Sequence, residues 1–110
     1  MSSVRIREYV DPEGDSPWAE WIESLNAEAA AKVATAVFRM GEGNFSQVKG
    51  VGAGVLERVI DWGPGYRVYF GRDGETLVIL LGGSSKNNQQ KAIEEAKARW
   101  ADYRRRKAKG

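Results

Sequence analysis

Three runs of strand-forming residues between Val55 and Leu81 are joined by connections that leave room only for tight turns. Val55-Leu56-Glu57-Arg58-Val59-Ile60-Asp61-Trp62 leads into Gly63-Pro64-Gly65. Tyr66-Arg67-Val68-Tyr69-Phe70 follows, and Asp73-Gly74 precedes Leu77-Val78-Ile79-Leu80-Leu81. Parallel neighbours need a crossover of about a dozen residues or more, whereas a few residues rich in Gly, Pro or Asp suit antiparallel hairpins. The stretch therefore predicts a meander of at least three antiparallel strands. Leu77–Leu81 is apolar throughout, which suits a strand covered on both faces near the centre of the sheet. Gly82-Gly83 is expected to end it.

On either side of the meander the apolar period is helical. Ser16 stands as an N-cap before Pro17, and Trp18, Trp21, Ile22 and Leu25 follow at helical spacing. Asn26 is placed to cap a second helix with the stripe Ala30, Val33, Ala34, Val37 and Phe38, stopped at Gly41. From about Asn87 a third helix carries Ile93, Ala96, Trp100 and Tyr103 on one face. Ahead of all three, Val4, Ile6 and Val10 alternate with Arg5, Arg7 and Tyr9, the pattern of a half-buried strand over residues 3–10. Gly41 to Gly54 reads as a glycine-rich connection. The predicted order is β-α-α-β-β-β-α, an α+β domain with helices packed on a small antiparallel sheet.

At 110 residues the chain has room for one core, so residues 1–110 are expected to form one domain. Residues 105–110 read as a basic, frayed tail. No apolar run approaches the roughly 20 residues of a membrane span, and Met1-Ser2-Ser3-Val4-Arg5 lacks the apolar stretch of a secretory signal. The expectation is a cytoplasmic protein with no membrane partner. Cysteine and histidine are both absent. Thiolate and imidazole metal sites, cysteine nucleophiles and the Ser-His-Asp triad are thereby excluded. The acidic residues show no clustered ligand spacing, and neither a metal nor another cofactor is expected. Charge is uneven: residues 1–54 hold five basic and eight acidic side chains, residues 55–110 twelve and seven. A selectively basic half suits an anionic partner such as nucleic acid, and suits a solvated helix face equally well.

Gly63-Pro64-Gly65-Tyr66-Arg67-Val68-Tyr69-Phe70, then Leu80-Leu81-Gly82-Gly83, Lys86 and Gln89-Gln90 before a helix, resemble the RelE/ParE toxin superfamily, in its branch of HigB-like addiction module killer proteins. The resemblance runs over about residues 3–104. It implies a RelE-like fold and the toxin of a type II toxin–antitoxin pair: an endoribonuclease that cuts mRNA on the ribosome without metal and is held inactive by a cognate antitoxin, expected to be of helix-turn-helix type. A ParE-like toxin directed at gyrase, or a catalytically weak protein that only binds the antitoxin, are the alternatives.

The resemblance assigns Arg67 and Lys86 to the catalytic cleft and Lys49 to RNA contact. Such a site fits the composition, because alignment of a 2′-hydroxyl and neutralisation of phosphorane charge are tasks for Arg and Lys. Arg58 is the third catalytic candidate. Relatives carry their basic residue one position later, where this chain has Val59, and adjacent strand positions face opposite ways unless a bulge intervenes. Tyr66 suits base stacking or core packing, and Gln89 a base edge or the start of the last helix. Trp62 is open between a stacking platform and strand-end packing. Asn87, Asn88 and Ala92 replace residues that are basic or acidic in relatives. The cross-strand alternative for Arg67 is an ion pair with Glu57 or Asp61.

Overall fold

The computed structural model describes residues 3–110; the expectation drawn from Met1-Ser2-Ser3-Val4-Arg5 falls in part on Met1 and Ser2, which lie outside the described residues. The chain runs β1 (Arg5–Glu8), α1 (Pro17–Glu23), α2 (Ala27–Gly41), β2 (Val48–Gly52), β3 (Val55–Ile60), β4 (Tyr66–Arg72), β5 (Leu77–Ser85), a single 3-10 turn (Lys86–Asn88) and α3 (Gln89–Lys109). It is an α+β fold with a five-stranded mixed sheet in the order β1-β5-β4-β3-β2. β2 to β5 form the antiparallel meander, and β1 lies parallel to β5 with Ile6 opposite Val78. Among the described residues no helix is long and apolar enough to cross a membrane.

The caps form where Ser16 and Asn26 predict them. Ser16 Oγ accepts from the Ala19 amide at 3.1 Å and Asn26 Oδ1 from the Ala29 amide at 2.8 Å, each satisfying a donor that the first turn leaves open. α2 ends at Gly41, where the sequence predicts its stop, and the left-handed residue beyond it is Gly43 (φ 92°). Its buried stripe, however, is turned from the expected one. Ala29, Val33, Ala36 and Met40 face the sheet, while Phe38 is 67% exposed. The small alanines bring the helix axis close to the strands, which leaves the bulkier neighbour outside.

Two cores result, one on each face of the sheet. α1 and α2 cover Ile60, Tyr66, Val68, Phe70, Val78 and Leu80. α3 covers Val55, Tyr69, Ile79 and Leu81 with Ala92, Ala96 and Trp100. Tyr9, expected on the polar side of the first strand, is buried in this second core and Val10 is the exposed one. The alternation itself holds; the outer face of β1 is simply covered by α3 near its end.

Gly82 and Gly83 do not end β5. They carry it to Ser85, past a bulge. Tyr69 pairs with Gly82 but Phe70 with Leu80, so Leu81 is the extra residue and the successive positions 81 and 82 both face α3. Gly82 takes φ 146°, a conformation that other residues seldom adopt. Gly83 then lies under α1, where a Cβ would stand 2.3 Å from the ring of Trp21.

β2 occupies part of the glycine-rich connection. Its sequence Val-Lys-Gly-Val-Gly has little strand preference, and pairing with β3 imposes the extended form. At the other end of the chain the helix continues to Lys109 instead of fraying from 105. Tyr9 and Tyr103 hydroxyls donate to Asp102 and Asp73 at 2.6 Å each, Lys107 bonds Asp73, and Arg106 bonds the Val10 carbonyl. Asp73 is held below its ordinary carboxylate range by these bonds, that from Lys107 foremost.

Gly83→Ala is expected to destabilise the protein by about 1–3 kcal/mol through overpacking against Trp21. Thermal unfolding checks this, and an unchanged Tm would mean the ring does not rest on the glycine.

Candidate functional site

The bulge decides what the far end of the sheet presents beside α3. Beyond it, Ser84 stands opposite Arg67, and both face the same way as Tyr69 and Glu57. Without the extra residue Ser84 would face α1. Lys49 pairs with Glu57 in the strand register, and its Nζ lies 3.6 Å from Glu57 Oε1. Gln89, at the first position of α3, donates from Nε2 to Glu57 Oε2 at 2.8 Å. Lys86 follows two residues after Ser84, with its backbone amide bonded to the Gly65 carbonyl. Three of the residues singled out from the sequence, Arg67, Lys49 and Gln89, thus share one face, and Lys86 leaves the strand at the same end with its side chain over Gly65.

Glu57 holds this group together and was not foreseen as part of it. Its side chain is fully buried, and its Oε1 carries no hydrogen bond although Lys49 is near. Its position was available from period-2 alternation with Val55 and Val59, since an acid at an inward position needs partners. The proposed Arg67–Glu57 or Arg67–Asp61 ion pair does not form: among the described residues no carboxylate lies within 4 Å of Arg67. Instead Arg67 stands opposite Val59, and its Nε is buried without a hydrogen-bond partner. Tyr69 and Ser84 share a hydrogen bond of 3.1 Å. Burial pushes the Tyr69 hydroxyl up to about 12; the Ser84 bond works against that, and the Glu57 carboxylate adds to it.

Arg58 and Tyr66 do not belong to this group. β3 and β4 pair without a bulge, so Arg58 faces α2, opposite in direction to Arg67. Its assignment to a common catalytic cleft with Arg67 is corrected accordingly. Tyr66 is core: it is buried on the α1 side between Trp21 and Trp62, and only its edge reaches the groove between α1 and α3. Trp62 is packed as well, stacked on Tyr66 with Lys32 Nζ 5.8 Å from its ring centre. Ala92 is buried against the sheet.

The assembled group is a cationic surface around one buried acid. Lys49 stands against Glu57, Arg67 shares that face of the sheet, and Lys86 leads into the 21-residue α3, whose N-cap Asn88 makes no side-chain bond to its amides. Such a surface attracts and orients phosphate. Among the described residues no three His, Cys, Asp or Glu side chains come together as metal ligands.

The sequence matches no family model. It is 44% identical over 78 residues to an uncharacterized protein of Haemophilus influenzae (strain ATCC 51907 / DSM 11121 / KW20 / Rd), a match covering 70% of this chain and 79% of that protein. At this identity and coverage the chain belongs to the same family as the Haemophilus protein.

Tyr69 and Tyr103 are both pushed up to about 12, by burial foremost, from an ordinary 10.0. Their neutral forms therefore stabilise the fold fully below pH 10, and that stabilisation is lost as pH rises through about 12. In an alkaline titration of phenolate absorbance, Tyr69→Phe and Tyr103→Phe should each remove a late-ionising group. Ionisation of all four tyrosines together near their ordinary value would contradict the packing described.

Proposed function

We propose that this chain is a toxin of the RelE/ParE type, a HigB-like, metal-independent endoribonuclease that cuts mRNA on the ribosome and is neutralised by a cognate antitoxin. The observation that carries the reading is that Arg67, Lys49 and Gln89 share one sheet face beside α3, with Lys86 leaving the strand at the same end of the sheet. These are the positions that the resemblance assigns to catalysis and RNA contact. The order of elements, two helices before the meander and one after it, agrees with a RelE-like topology. The protein acts in the cytoplasm, where its substrate is.

In this reading the cations serve as positioned charges. Arg67 is half-buried and has no carboxylate within 4 Å among the described residues, which leaves its guanidinium available to a phosphate oxygen. Lys86 and the first amides of α3 offset charge on the same phosphate from the other side. Lys49 follows the RNA backbone. Glu57 is a positioning residue: it draws Lys49 and Gln89 onto the face that Arg67 shares. Alignment of the 2′-hydroxyl with the scissile phosphate and stabilisation of the added negative charge are then supplied without a metal ion.

One observation favours a weaker catalyst that chiefly binds its antitoxin. Val59, not a cation, stands opposite Arg67, and the strand's own arginine faces the other way. A gyrase-directed role keeps the same fold and has no such support.

Purified protein is expected to cut a defined mRNA when programmed ribosomes are present and not without them, with no effect of chelator. Arg67→Ala should slow cleavage roughly 30- to 1,000-fold, equivalent to about 2–4 kcal/mol of barrier. A rate within threefold of wild type would remove Arg67 from the site. Absence of cutting under both conditions would leave antitoxin binding or gyrase inhibition as the activity to assay.

A further inference from the structure

The opposite face of β3 carries a second set of cations. Arg58 is only 7% exposed, yet among the described residues no carboxylate lies within 4 Å of it. Buried guanidinium groups are normally paired, because an uncompensated charge in the interior is costly. Here both hydrogen bonds leave from Nη1, to Gln47 Oε1 at 3.3 Å and to the Val59 carbonyl, while Nε is buried with no partner. Burial, and then the neighbouring Arg39 guanidinium, lower its pKa from the usual arginine value.

Arg58 forms the floor of a cavity of about 280 Å³ between α2 and β3. Lys32 and Arg39, about two turns apart on α2, line one wall, and Gln47, Asp61 and Trp62 contribute to the others. Three cations face one carboxylate, and Asp61 makes no ion pair within 4 Å with any of them among the described residues. Repulsion between Arg39 and Arg58 is a cost that an anion between them would reverse. The volume is at the small end of ligand cavities, which run from about 300 to 1,000 Å³. That is room for a phosphate with a sugar-sized group attached. A phosphate carries more charge and more acceptor oxygens than a carboxylate, so it engages a guanidinium fork and two further cations from separate oxygens.

We propose that the cavity formed by Lys32, Arg39 and Arg58 is a phosphate-binding site, separate from the cluster around Arg67 and on the other side of the sheet. It does not rest on the cleavage activity proposed above. The ligand is a free phosphate ion or the phosphate of a mononucleotide.

The test uses the full chain, labelled for NMR, titrated with inorganic phosphate, adenosine 5′-monophosphate and adenosine at constant chloride. The expected result is a saturable shift of the Arg58 Nε–H and Trp62 indole N–H resonances with either phosphate compound. Tighter binding of the nucleotide identifies a mononucleotide as the ligand, and equal binding identifies free phosphate. Lys32→Ala combined with Arg39→Ala alters only exposed side chains and should weaken the affinity at least tenfold. Arg67→Ala should leave these two resonances responding as in wild type. The proposal is overturned if neither resonance moves at millimolar phosphate, if adenosine binds as well as its monophosphate, or if the double variant binds unchanged.

Discussion

An extra residue in the middle of β5 governs what the rest of the molecule can present. Up to Leu80, β5 alternates in step with β4; from Gly82 onward it is out of step by one. The first half of the strand therefore fills both cores with Val78, Ile79 and Leu80, and the second half is free to put Ser84 beside Arg67. The direction in which the chain leaves the sheet depends on the same irregularity. It places Gln89 at the start of α3 next to Glu57 and directs the long helix back across the sheet. A glycine at 82 meets the backbone requirement, and a glycine at 83 admits the ring of Trp21. Two adjacent residues thus set a register, a packing contact and the composition of a charged surface.

The turns were legible in the sequence because their chemistry is local. Gly63-Pro64-Gly65, Asp73-Gly74, Ser16-Pro17 and Asn26 act within a few residues, and each structure they predict is present. Central placement of Leu77–Leu81 was legible from its apolar run alone. What escaped depends on partners far along the chain. β2 is a strand because β3 lies beside it, with Ala53 and Gly54, both at positive φ, turning one into the other. Gly82-Gly83 reads as a terminator by composition and is a bulge by virtue of Trp21 and β4. Phe38 scores as core by spacing, yet the alanine face of α2 fits closer.

The charged residues divide in the same way. The grouping of Arg67 with Lys86, Lys49 and Gln89 came from the resemblance; the folded chain brings Arg67, Lys49 and Gln89 to one face and Lys86 to the same end of the sheet. Separation of Arg58 from Arg67 followed from strand alternation, a consequence of the pleat that holds wherever no bulge intervenes. The inward position of Glu57 was legible from alternation, whereas Ser84 could be assigned only with the register in hand. Neighbouring in sequence, Glu57 and Arg58 are both buried charged residues, yet they serve opposite sides of the sheet: one gathers polar partners beneath α3, the other faces the α2 side with only part of its donor capacity met.

Gly71 and Trp100 show what such close fitting entails over longer times. A Cβ on Gly71 would stand 2.5 Å from the indole of Trp100, so the strand has no side chain at that point because the helix supplies one. The two positions share a single volume. A larger residue at 71 is admissible only in a lineage whose residue 100 has already shrunk, and a smaller residue at 100 opens a cavity until 71 grows. Neither change is neutral alone, so across descendants of this chain the pair is inherited as one unit, with the strand and the helix constraining each other's history.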